Sequence, residues 1–186
     1  IFDQYENIGN VKTSGLDFDI SYKLESNIGD FNFNYALNYV LNYEDSRPTA
    51  NEDGSQGPRR IEIQEGDFEQ PTMRWTFNTS WVMDDWSANI AANYIGEFKQ
   101  DNAVRIQTVK DDDGNVIETV TLDDVESMVT IDTAVNYIGF ENTTLTIGAT
   151  NLLNEKPPFS YHSWTSFSNA HNSQGRFAYV KASYKF

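Results

Sequence analysis

The chain has 186 residues, a formal net charge of -15 at pH 7 and no cysteine. This length suits a single domain, the acidic balance without a basic patch argues against a nucleic-acid partner, and no disulfide framework can hold the fold. No run approaches the roughly 20 apolar residues of a membrane helix, although the alternating strands of a membrane barrel would not register in such a test.

Apolar and polar residues alternate in seven long runs, which predicts seven β-strands. The first run sets Leu16, Phe18 and Ile20 against Asp17 and Asp19. In chain order the runs cover residues 11–24, 30–44, 69–82, 85–98, 127–139, 142–152 and 175–186. Most exceed the ~5–6 residues of an average globular strand and match the ~9–11 residues of a strand that crosses a bilayer. Aromatic residues near the run ends predict two interfacial girdles.

The connections between the runs alternate in length. Short turns are expected at 25–29, 83–84 and 140–141, and long loops at 45–68, 99–126 and 153–174. Compact soluble domains rarely hold three long loops, whereas outer-membrane barrels combine short periplasmic turns with long extracellular loops. The sequence therefore predicts an all-β, antiparallel transmembrane β-barrel segment with extracellular long loops and a periplasmic C-terminus.

Several motifs resemble those of the TonB-dependent outer-membrane receptors. The most specific is Leu145–Pro158, which resembles a Gly-x-x-Asn-Leu segment followed by Pro-Pro near the end of the family's barrel. Further matches are Asn7 to Asp17 at a strand entry, Pro71 before Arg74 and Trp75, and Gly175-Arg176 at the last strand. The resemblance implies that 1–186 is the C-terminal part of a 22-stranded barrel, with the plug domain and the TonB-contact segment upstream of it. Seven strands would then form an open fragment that does not close alone.

The resemblance also implies a function. Such a receptor is not an enzyme; it binds a siderophore, cobalamin or an oligosaccharide at its extracellular loops and imports it with TonB coupling. The expected partners are the outer-membrane bilayer, the receptor's own plug and remaining strands, the TonB complex and the ligand, and no cofactor is expected. The alternatives are a passive porin or adhesin barrel and a soluble carbohydrate-binding β-sandwich.

The long loops carry six candidate ligand-binding residues. Arg59 and Arg60 could hold a carboxylate or phosphate, or could pair with Glu62 and Glu65 instead. Aromatic and imidazole rings in the last loop could stack on a ligand, or could pack on neighbouring loops or the plug. These rings are Tyr161, His162, Trp164 and Phe167.

Three further features concern assembly and metal binding. The closing strand ends on Tyr184 and Phe186, which resembles the assembly signal of outer-membrane barrels. Residues 111–115 superficially suggest a calcium loop, but alternation on both sides favours a β-hairpin that turns at Asp113-Gly114. His162 and His171 are nine residues apart without a carboxylate group, so no metal site is predicted.

Overall fold

The computed structural model describes residues 9–50, 56–67, 69–100, 106–111, 113–121, 124–160 and 166–186. No helix in these ranges is long and apolar enough to cross a membrane. Within them the chain forms ten strands: β1 (Asn10–Leu24), β2 (Asp30–Ala50), β3 (Gln56–Gln64), β4 (Met73–Met83), β5 (Trp86–Ile95), β6 (Ile106–Lys110), β7 (Val116–Thr121), β8 (Met128–Phe140), β9 (Thr143–Thr150) and β10 (Phe177–Tyr184).

Seven of these strands form one antiparallel path in the order β1-β2-β4-β5-β8-β9-β10. Each strand of the path pairs with the path strand that follows it in sequence, and the two edges are β1 and β10. β3 pairs with the C-terminal part of β2, and β6 and β7 form a separate hairpin. The prediction of seven alternating strands is confirmed.

Alternation is kept in register from strand to strand, which gives the sheet one apolar and one polar face. One row of cross-strand partners runs Phe18, Leu37, Trp75, Tyr94 and Val129. The neighbouring row lies on the other face and runs Asp17, Asn38, Arg74, Ile95 and Met128. We call the end of the sheet with the long connections the loop end and the opposite end the turn end.

The apolar face is uncovered within the described part of the chain. Ile20, Ile90 and Ile147 on this face are all exposed, and Val180 is 76% exposed. No second sheet packs on it among the described residues. A water-facing surface of this kind is unusual for a soluble monomer, so the face fits a lipid environment and not the soluble β-sandwich alternative.

Aromatic rings lie at both ends of the apolar face. At the loop end Trp75 stacks on Tyr94 with centroids 5.2 Å apart, and at the turn end Trp86 contacts Tyr137 at 4.6 Å. Trp86 and Tyr94 lie eight residues apart on β5, which is about 27 Å along a strand. At the tilt typical of membrane barrels this corresponds to about 20 Å of height, close to the lipid-facing band.

The connection predicted as a loop at 45–68 is in large part an extension of the sheet. β2 continues to Ala50 and pairs with β3 from Glu44 onward, with register shifts near Ser46 and Pro48. Proline cannot donate to a ladder and is tolerated at such irregularities. The loop prediction was therefore wrong over most of this segment.

A bulge between Ser14 and Gly15 also corrects one predicted face. Asn32, Asn34 and Asn38 lie on the polar face as expected, but Asn42 pairs with Ser14. That position is on the same side of β1 as Leu16, because an extra residue in one strand reverses the alternation.

The first turn depends on Gly29. Its φ is +110°, and the neighbouring Ile28 carbonyl accepts a 2.7 Å hydrogen bond from Trp81 Nε1. A Cβ on Gly29 would lie 2.7 Å from the Val82 carbonyl oxygen. Gly29→Ala should therefore lower the free energy of unfolding of the intact protein by more than the ~1–2 kcal/mol expected from backbone strain alone. Urea titration followed by tryptophan fluorescence measures this loss.

Gly114→Ala is the matched control for that substitution. Gly114 also has a positive φ, +86°, but no atom lies within 4 Å of the position that a Cβ would take there. It should show the cost of backbone strain without the steric clash. Equal losses for the two variants would show that the contact with Trp81 and Val82 does not matter.

Candidate functional site

The buried side chains of the described residues concentrate at the loop end. Phe98, Val125 and Met128 are almost fully buried there. Phe98 and Val125 exchange backbone hydrogen bonds of 3.1 and 2.8 Å, and His171 stacks on the Phe98 ring at 5.5 Å. Buried polar side chains accompany them: Gln100, Ser160, Ser168 and His171. We call these seven residues the loop-end cluster.

Hydrogen bonds tie the connection before β4 to this cluster. The amide of Asn169 donates to Glu69 Oε1 at 2.7 Å, and Lys99 forms a 2.9 Å ion pair with Asp67. In the same connection the backbone N–H of Tyr43 donates to Glu65 Oε2 at 2.9 Å, which lowers the pKa of Glu65. The described parts of these loops therefore pack together at this end of the sheet.

Next to the loop-end cluster, the polar face carries a trough with two neighbouring cavities. One, of about 510 Å³, is lined by residues of β1, β2, β4 and β5 and includes Asp17, Asp19 and Arg74. The other, of about 370 Å³, lies between the sheet and the last loop. Both include Asn93 and Ile95 in their walls. We call them the Arg74 groove and the loop crevice.

Cross-strand hydrogen bonds fix the polar side chains around the trough. Thr76 Oγ1 donates to Asn93 Oδ1 at 3.2 Å, and Asn93 Nδ2 donates to Asp132 Oδ2 at 3.0 Å. The other Asp132 oxygen accepts the backbone N–H of Asn151 at 2.8 Å. Because Asn151 begins the last loop, this chain of bonds connects the wall of the trough to the loop above it.

The described residues do not test whether the six predicted ligand contacts come together. Arg59 and Arg60 lie in β3, where their backbones pair with Pro48 and Arg47. Phe167 is described and half-buried. The remaining three, Tyr161, His162 and Trp164, lie outside the described residues. Their roles stay predictions.

The assembly role of the closing aromatics also stays a prediction. Tyr184 is exposed on β10, and its ring contacts Phe186 edge to face at 5.0 Å. Phe186 is fully exposed. Both rings lie at the turn end, where Tyr184 pairs with Thr143 of β9 and the other edge of β10 is unpaired among the described residues.

The acidic turn at residues 111–115 joins β6 and β7, so the predicted hairpin is confirmed. The backbone N–H of Asn115 donates to Asp111 Oδ1 at 2.8 Å and is the main cause of a lowered pKa of Asp111. Asn115 Nδ2 occupies the other oxygen at 3.2 Å. The turn itself therefore uses the carboxylate, and no group of three metal-binding side chains occurs among the residues described.

Sequence reasoning missed the loop-end cluster and the loop crevice. Phe98, Val125 and His171 are far apart along the chain, so no local pattern connects them. The only sequence signal for the crevice was the run of Asn and Thr residues on the polar faces of the strands.

A family model described as TonB dependent receptor-like, beta-barrel, matches residues 1–152. This chain belongs to the TonB-dependent receptor β-barrel family. No curated protein and no solved structure gives a significant match. In an outer-membrane receptor barrel of this family, the uncovered apolar face is the lipid-facing surface and the polar face borders the lumen.

In this receptor barrel, we expect His171 to make the packing of the last loop dependent on pH. Its side chain is 5% exposed, and neither ring nitrogen has a hydrogen-bond partner among the described residues. Burial, and secondarily the charge of Arg74, lowers the pKa of His171. A lowered pKa means that the folded loop disfavours the protonated form of His171. The packing of the loop is therefore weakened as the pH falls from the ordinary histidine pKa of about 6.5 towards the lowered pKa. Hydrogen exchange in residues 166–174, corrected for intrinsic rates, should be less protected at pH 5 than at pH 7.5.

His171→Phe is the control for this pH effect. A phenyl ring keeps the stacking on Phe98 but has no group that titrates. Protection of 166–174 should then change little with pH. The same pH dependence in both proteins would exclude His171 as its source.

Proposed function

We propose that this chain forms part of an outer-membrane receptor that imports a scarce nutrient with energy supplied through TonB. The family match over residues 1–152 carries the proposal. The ligand would be a siderophore, cobalamin or an oligosaccharide, bound at the loop end. The long loops would face the exterior and the short turns the periplasm.

The layer of packed loops supports binding at the loop end. The loop-end cluster joins residues 96–100, 124–128, 159–160 and 166–171, and Glu69 adds the connection before β4. Binding residues are commonly carried by loops on a rigid scaffold. The trough lies directly beneath this layer on the polar face. A ligand held there would therefore already be on the lumen side of the barrel wall.

The edge strands β1 and β10 support a larger assembly. In a bilayer the backbone groups of an open edge would have no partners, so both edges need further strands. We propose that the rest of the barrel supplies them and that the plug domain and the TonB complex act through other parts of the receptor.

Uptake of a labelled ligand by the bacterium that carries this receptor tests the proposed function. Cells should accumulate a labelled ferric siderophore, cobalamin or oligosaccharide, and deletion of the receptor or of TonB should abolish accumulation of the same compound. TonB dependence is expected because import against a gradient needs energy that a passive pore does not supply.

The passive-porin alternative predicts a different result. Accumulation would then depend on the receptor, persist without TonB and stop at the external concentration. An adhesin would give no accumulation of any of the three classes. Either outcome would contradict the proposed function.

A further inference from the structure

We propose that the loop crevice, together with two rings beside it, is a binding subsite for a neutral sugar unit. This inference rests on the proposed function and narrows its ligand class. The crevice is lined by Asn93, Ile95, Thr130, Asp132, Thr150, Asn151, Ala170, Asn172 and Gln174.

The free polar groups of the crevice suit hydroxyl groups. Among the described residues, the side chains of Thr130, Thr150 and Gln174 make no hydrogen bond, and Asn172 uses only its oxygen, which accepts the amide of Gln174. Hydroxyls and side-chain amides can each donate and accept. A sugar ring presents hydroxyls that also do both, so it can satisfy several of these groups at once.

The charge of the crevice disfavours an anionic ligand. None of its described lining residues is basic, and Asp132 is its one carboxylate. Asp132 already accepts hydrogen bonds from Asn93 and from the amide of Asn151. A phosphate, carboxylate or acidic chelate would therefore meet a negative charge with no basic residue in the described lining of the crevice.

An aromatic platform adjoins the crevice on the same face. Phe177 pairs across the strands with Thr150, which lines the crevice. It stacks on Tyr179 with centroids 6.2 Å apart and ring planes inclined by 22°. The Tyr179 ring lies over Gly148, because a Cβ there would be 2.5 Å from it. Phe177 remains 50% exposed although it faces the polar side of the sheet.

The crevice and the aromatic platform together indicate a sugar ligand more specifically than either does alone. An exposed apolar ring pair on a polar wall offers the flat contact that the C–H face of a sugar requires, and the neighbouring amides and hydroxyls reach its hydroxyl groups. The crevice volume of about 370 Å³ lies within the range of small-molecule sites. One sugar unit of a longer chain would occupy it, with the rest extending into the Arg74 groove.

The intact receptor, purified in detergent, should be tested on a glycan array that contains neutral and uronic- or sialic-acid-containing oligosaccharides. We expect binding to neutral glycans. Phe177→Ala should weaken it about five- to tenfold through loss of the ring contact, and Gln174→Ala about three- to tenfold through loss of hydrogen bonds. Phe177→Trp should retain binding.

Phe140→Ala is the matched control. Phe140 is 54% exposed and contacts one ring, Tyr137, but it lies at the turn end. Its removal should leave glycan binding unchanged. The inference is overturned if no neutral glycan binds, or if Phe177→Ala and Gln174→Ala bind as the wild type does. TonB-dependent uptake of a siderophore or cobalamin with no neutral-glycan binding would overturn this inference and leave the proposed function intact.

Discussion

The structure depends on a side-chain alternation that stays in register across the sheet. A slip of one residue would move a whole strand's apolar set to the polar face, and in lipid no water would compensate exposed polar groups. β4, β5 and β8 pair without interruption from Met128 at the loop end to Tyr137 at the turn end. The register shifts in the path occur beside Gly15 and Phe140, near the two ends. Irregular backbone is therefore kept outside the lipid-facing band.

The polar face carries a network of side-chain hydrogen bonds between strands. Its short amide and hydroxyl side chains bond across the strands, as in Thr146 to Asn136 at 2.7 Å and Asn136 to Ser87 at 3.1 Å. Such networks hold side chains in defined positions, so the wall of the trough is preformed. Asp132 extends this order to the last loop by accepting the amide of Asn151. The same residue therefore belongs to the wall and anchors the segment that covers it.

The strands could be predicted from the sequence because alternation is a local signal. The loop structure could not be predicted, because its contacts join residues that are far apart along the chain. β3 was missed because Ile61 and Ile63 follow Gly57-Pro58 and give too short a pattern. The altered face of Asn42 depends on a bulge that only the pairing with β1 reveals. The site is less predictable still: the polar character of Asn93 and Thr130 was evident, but their cavity exists only because residues 170–174 fold back over them.

The charges of the trough limit how it can hold a ligand. Arg74 is the only basic residue among the described lining of both cavities, and Asp17 and Asp19 share its groove. The field there does not favour anions, and in the sugar subsite that we propose the affinity would come from ring contacts and neutral hydrogen bonds of ~0.5–1.5 kcal/mol each. Many weak contacts shared between a fixed wall and a loop can be broken by moving one partner. Displacement of the 166–174 segment would remove Asn172 and Gln174 together, which would couple ligand release to loop movement.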